Sequence, residues 1–215
     1  MAGKNIHILG GGTVSHVRNH LALAAPAYGA TARRIYNLCG QQQSHMDRNL
    51  HLTKMAGGSK LETNEDVERL LVQLAEDPAT KIIFMSAALV DFDGAIGFEK
   101  SGKHAERLHS RAYNPDDMIL LPKRKLLGDI RKHRKDIFLV GFKTTTGATE
   151  DEQYIAGLTL LKQASCNLVL ANDVVTRKNM IVTPEEARYH VSDNRDDVLR
   201  KLVEMSLPRS HLTFT

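Results

Sequence analysis

The chain contains no tryptophan, and its 5 tyrosines and 6 phenylalanines leave it poor in aromatic residues for 215 positions. Proteins that hold single-stranded nucleic acid stack bases on aromatic rings. This scarcity, with no recognised DNA- or RNA-docking motif, ranks nucleic acid last among partners. Cysteine is nearly absent as well. Cys39 and Cys166 are too few for a disulfide framework, and neither belongs to a C-x-x-C pair or a close Cys/His pair, so both read as buried thiols and no metal site is expected of them. No apolar stretch approaches the roughly 20 residues needed to cross a bilayer, and residues 1–4 run straight into a strand-like segment. The expected location is the cytoplasm, with no membrane partner. No Gly/Ser-rich, Pro-rich or repetitive tract marks a linker, so residues 1–215 are expected to form one domain.

A hydrophobic share of 42% is enough for a full core, and a net charge of +4 favours anionic partners without choosing among them. The charge is unevenly placed: Pro122-Lys123-Arg124-Lys125 and Arg131-Lys132-His133-Arg134-Lys135 are interrupted by Leu126, Leu127 and Ile130 at helical spacing. That pattern predicts a helix near residues 123–134 with a solvated basic face.

Residues 5–9 predict a short strand, ended by three glycines that allow a sharp turn and close backbone approach. Pro26 suits the first turn of a helix over 27–38, leaving 15–25 as a loop or a preceding helical turn. Residues 50–53 predict a second strand, and Asn64 suits the cap of a helix reaching Glu76. The nearly continuous apolar run 81–86 predicts a central strand covered on both faces. The segment 91–117 shows no period, and so long an irregular stretch points to function. Further strands are predicted at 137–140 and 167–171, short ones near 180–182 and 189–191, and helices at 152–163 and 196–205. The alternation predicts an α/β, Rossmann-like three-layer domain with a mostly parallel sheet, helices on both faces, and a flap after the third strand.

Ligands of such sheets sit at the carboxyl ends of the strands, near the switch point. Four segments are expected to converge there: Gly10-Gly11-Gly12-Thr13, residues 87–91, residues 141–146 and Asn172-Asp173. The glycine turn could offer backbone N–H groups and a hydroxyl to phosphate oxygens, although it is neither G-x-G-x-x-G nor a Walker A loop; its alternative is a structural tight turn. Asp91 could bind a base edge, a ribose or an amine, or could end the strand as a turn residue. His16 and His20 could transfer protons or bind phosphate, or could be loop surface residues.

Six short motifs occur in a fixed order: Gly-Gly-Thr, Val17-Arg18, Ala87-Ala88-Leu89-Val90-Asp91-Phe92, Glu99-Lys100, Val140-Gly141-Phe142 and Ala171-Asn172-Asp173-Val174. In that order and spacing the chain resembles the phosphopantothenoylcysteine synthetase family over nearly its whole length. The resemblance implies a co-substrate, CTP or ATP, with Mg²⁺. The nucleotide would activate the carboxylate of phosphopantothenate as an acyl-nucleotidylate, which the amine of cysteine then attacks. It implies nucleotide contacts at Asp91, Phe142 and Asn172, to which the reading of the residues adds Gly10, Gly11, Gly12, Thr13, Ala87 and Ala88. Lys162 is a further candidate although out of register with the family's lysines. Lys100 would act from the flap, with Arg18, His16 and His20 as the other catalytic candidates. It also implies a homodimer through the segment after the Ala-Ala-x-x-Asp motif, where Ile96-Gly97-Phe98 is apolar. Two positions depart from the family: Ala22 falls where it keeps an Asn, and Thr145 where it keeps an acid. A nucleotide-binding sensor or sequestering protein without turnover is therefore the alternative to a ligase-like enzyme.

Overall fold

The computed structural model describes residues 4–42, 45–97, 101–109 and 118–209. Seven strands form one sheet in the order β11-β10-β9-β8-β5-β1-β4, with β1 Asn5–Gly10, β4 Asp47–Leu52, β5 Thr80–Met85, β8 Phe138–Thr145, β9 Leu168–Asp173, β10 Asn179–Val182 and β11 Arg188–Ser192. The five strands from β4 to β9 run parallel; β10 is antiparallel to both β9 and β11, so β11 runs in the direction of the five. The alternation of strand side chains divides the core. Ile6, Ile8, Ile82, Phe84 and Val140 pack under α1 (Ala30–Gln41) and α5 (Arg195–Arg209). Leu9, Ile83, Met85 and Leu139 pack under α2 (Asn64–Glu76), α3 (Ile130–His133) and α4 (Glu150–Ala164). This is the expected three-layer α/β arrangement.

Two small ribbons stand beside the sheet: β2 Val14–Arg18 with β3 Leu21–Ala24, and β6 Phe92–Ile96 with β7 Met118–Pro122. The first replaces the loop or helical turn expected at 15–25. The Ala25 amide donates to the Thr13 carbonyl (3.0 Å) and the Gly12 amide to the Ala27 carbonyl (2.7 Å). Those bonds hold 25–27 extended, so α1 starts only at Ala30, after left-handed Gly29 (φ 78°), and not at Pro26. The helix expected over 123–134 is a 3₁₀ turn and the single turn α3. Its basic residues bond elsewhere: Arg131 donates to the Ser165, Lys135 and Ile137 carbonyls, and Arg134 to those of Asp77 and Thr80. Helix α2 has the predicted ends, but Thr63 caps it, in a capping box with Asp66.

Cys39 and Cys166 are buried free thiols, which burial pushes up to about 12, so neither is a ready nucleophile. Among the described residues no helix is long and apolar enough to cross a membrane.

Candidate functional site

Strand β1 has its chain neighbour β4 on one side and β5 on the other, which places the switch point at the carboxyl ends of β1 and β5. The glycine turn and the segment after β5 meet there. The Ser86 amide donates to the Leu9 carbonyl (3.0 Å), the Ala88 amide to the Gly11 carbonyl (2.9 Å) and the Thr13 amide to the Ala88 carbonyl (3.0 Å). Ala87 and Ala88 thus hold the turn beside the end of β5. The Gly12 and Thr13 amides are committed to protein carbonyls, and the Thr13 hydroxyl is fully buried, donating to Asn64 Oδ1 (2.6 Å) and accepting from the Val90 amide (2.9 Å). The turn therefore shapes the edge by close packing. A Cβ at Gly10 would lie 2.2 Å from Ala32 Cβ, and Gly11 adopts φ +100°.

Beside it opens a cleft of about 330 Å³, lined by the segment Leu89–Asp91, by Arg124 and Lys125, by Phe142 and Lys143 at the end of β8, and by α4 through Thr159, Leu160 and Gln163. Clefts of about 300–1,000 Å³ hold small ligands. It brings together two of the nucleotide residues expected from sequence, Asp91 and Phe142. Asp91 is exposed at the cleft, its carboxylate 2.5 Å from Lys125 Nζ. Asn172 is partly buried on β9, accepting from the Thr144 hydroxyl (3.3 Å), and does not line the cleft. Lys162 does not line it either; its ammonium pairs with Glu186 at 2.6 Å.

The remaining candidates separate. Arg18 is wholly buried, donating to the Val17 carbonyl (2.9 Å) and to that of Ile96, which ties β2 to β6. His16 Nε2 lies 3.2 Å from Glu62, whose carboxylate also receives Lys54 and Lys103 at 2.7 and 2.8 Å; these ammonium donors hold Glu62 down at about 2. His20 is exposed in the β2–β3 turn beside Asn19, so the two histidines do not form a pair. Lys100, Glu99 and Phe98 lie outside the described residues.

At the two departures from the family pattern, Ala22 sits directly across from His16 in the β2–β3 ladder, and the Thr145 hydroxyl donates to Asp173 at 2.9 Å. Asp173 also accepts from the amides of Gly147, Ala148, Val175 and Thr176. Burial opposes its charge, yet these donors hold the carboxyl far below the usual carboxylate range and pin the β8–α4 loop to the β9 turn.

Spacing in the sequence hides a second network. Lys123 Nζ reaches Asp93 and Glu65, each at 2.8 Å, and Ser15 Oγ donates to Asp93 (2.5 Å), while the Lys123 amide donates to the Asp91 carbonyl. Burial works against this ammonium, and the two carboxylates outweigh it and raise its pKa. Arg124 pairs with Glu68 and Asp129, and Lys132 with Asp129, so much of the basic segment is neutralised.

No protein-family model and no curated protein matches the chain by sequence. Solved structures do match it in shape. A DNA/pantothenate metabolism flavoprotein from Streptococcus pneumoniae superposes with a TM-score of 0.77 at 16% identity, covering 97% of this chain and 99% of that one. A Cab2 variant in complex with phosphopantothenate-cysteine gives 0.70 at 13% identity, over 98% and 87%. The C-terminal domain of the coenzyme A biosynthesis bifunctional protein CoaBC gives 0.64 at 15%, over 95% and 94%. The fold to which the ordered motifs pointed, that of the phosphopantothenoylcysteine synthetase domain, is the fold of this chain.

Proposed function

We propose that this protein is a nucleotide-dependent ligase that joins a small carboxylic acid, phosphopantothenate or a relative, to an amine such as cysteine. The observation that carries the reading is the cleft beside the carboxyl end of β5 and strand β8, where Asp91 and Phe142 come together on a fold shared with a protein solved with phosphopantothenate-cysteine. In this reading the cleft holds CTP or ATP, with Asp91 on the sugar or base and Phe142 against the ring. Among the described residues Asp91 is the one carboxylate lining the cleft, so Mg²⁺ would enter mainly on the phosphates of its nucleotide. The acid's carboxylate attacks the α-phosphorus, pyrophosphate departs, and the amine displaces the nucleoside monophosphate from the acyl carbon. The chain's part is to hold the two reactants in line and to neutralise the leaving phosphates.

The test is pyrophosphate release with CTP or ATP, Mg²⁺, phosphopantothenate and cysteine. Release that requires both the nucleotide and the acid is expected; nucleotide binding without release favours the second reading. That reading, a sensor or sequestering protein, draws on one observation: Thr145, at the position where the related family keeps an acid, is committed to Asp173, and Ala22 offers no polar group.

The protein is further proposed to form a homodimer through the β6–β7 ribbon in the cytoplasm. Of the patch expected at Ile96-Gly97-Phe98, Ile96 is buried and Phe98 lies outside the described residues; on the same ribbon Ile119, Leu120 and Leu121 are each at least half exposed, and Phe92 is 43% exposed. An apolar two-stranded edge of this kind is avoided on a monomer unless it is covered. Leu120→Glu is expected to convert a dimer to a monomer by sedimentation equilibrium while the cooperative melt persists; a monomeric wild type at micromolar concentration would remove the proposal.

A further inference from the structure

Strand β8 outruns its neighbour. Its last partner on β5 is the pair Met85–Gly141, after which Phe142, Lys143, Thr144 and Thr145 continue along β9 alone. Lys143 is thereby carried past the end of β5 and lines the cleft. Among the described residues three cations line that cleft, and two are neutralised: Arg124 by Glu68 and Asp129, Lys125 by Asp91. The Lys143 side chain is exposed and has no hydrogen bond or ion pair among the described residues. Its positive charge is therefore the uncompensated one among the described residues of the cleft wall, on the ligand edge of the sheet. Of the two lysines singled out from sequence, Lys162 is spent on Glu186 and Lys100 lies outside the described residues.

We infer that Lys143 contacts the phosphates of the bound nucleotide, and that the cleft selects nucleoside polyphosphates over the bare nucleoside through this side chain. The inference rests on the nucleotide reading above. An ammonium on a flexible stem suits a polyphosphate, whose charge is spread over several oxygens, because it can follow whichever oxygens lie nearest. Among the described residues no carboxylate pairs with it.

Dissociation constants by titration calorimetry for the nucleoside, monophosphate and triphosphate, with wild type, Lys143→Met and Lys143→Arg, separate the possibilities. The wild type is expected to tighten with each added phosphate. Lys143→Met should weaken triphosphate binding about 10- to 100-fold, the scale of a charge-assisted hydrogen bond, while nucleoside binding holds and Lys143→Arg recovers most of the loss. Unchanged triphosphate affinity in Lys143→Met, or an equal loss for the nucleoside, overturns the assignment of Lys143 while leaving the cleft a nucleotide site. A wild type that binds no nucleotide overturns both.

Discussion

Gly12→Ala is expected to destabilise the fold by on the order of 3 kcal/mol, seen as a lower midpoint in urea with an unchanged slope. A Cβ at this position would stand 1.9 Å from the Ala25 carbonyl oxygen and 2.8 Å from the Ala27 nitrogen. Both obstacles are backbone, in a segment the Gly12 and Ala25 amides already hold by hydrogen bonds, so no rotamer change relieves the clash. The cost falls on the functional edge, because the same turn carries the Ala88 and Thr13 bonds that fix the segment leading to Asp91. A variant within about 0.5 kcal/mol of wild type would show that the turn is slack and does not set the shape of the site.

Between pH 7.5 and pH 5 the protein is expected to lose about 2 kcal/mol of stability through buried His7, which stacks on half-buried His51. His7 Nδ1 lies 3.0 Å from His51 Nε2, the rings stack at 5.2 Å, and the Thr80 hydroxyl lies 3.3 Å from the other nitrogen of His7. Burial, then the neighbouring His51, lowers His7 from 6.5 to about 4, with Asp77 opposing; burial lowers His51 as well. A histidine whose folded pKa lies below its unfolded value favours folding fully above the unfolded pKa. That contribution is lost as pH falls from 6.5 toward 4, so the dependence has the sign of acid destabilisation. Unfolding free energies of wild type and His7→Gln across this range check it: the variant should be flatter, and an equally steep variant would place the titration elsewhere.

Several of these features were legible in the residues and several were not, for physical reasons. The apolar run ending at Met85 announced a buried central strand because both its faces pack, Ile82 and Phe84 under one helical layer and Ile83 and Met85 under the other. That the segments holding Asp91 and Phe142 meet at one sheet edge was readable from the apolar strands before them, while Phe142 itself was singled out by the resemblance. The β2–β3 ribbon was hidden, since its pairing depends on Thr13, Ala25 and Ala27 meeting across the glycine turn, contacts that no local period encodes. The basic segment misled for a related reason. Its helical spacing reflects Leu126 and Ile130 turning inward, while Arg131 and Arg134 serve as donors to distant carbonyls that end the helix after one turn. Thr13 looked like a phosphate ligand in sequence, but its hydroxyl locks Asn64 to Val90. Lys143 lies in the segment 141–146 expected at this edge, but nothing in the sequence sets it apart there, because it reaches the cleft wall only where β8 outlasts β5.

The central claim is that the cleft at Asp91 and Phe142 binds the nucleotide that drives ligation. Its most direct test is the pyrophosphate assay run on wild type beside Asp91→Asn, which leaves an exposed side chain of the same shape without its charge. The account predicts release by the wild type that depends on the acid, and a rate in Asp91→Asn at subsaturating nucleotide lower by about tenfold, the scale of one lost hydrogen bond to a charged group. Acid-dependent release that is equally fast in the variant would place the nucleotide away from this cleft and contradict it.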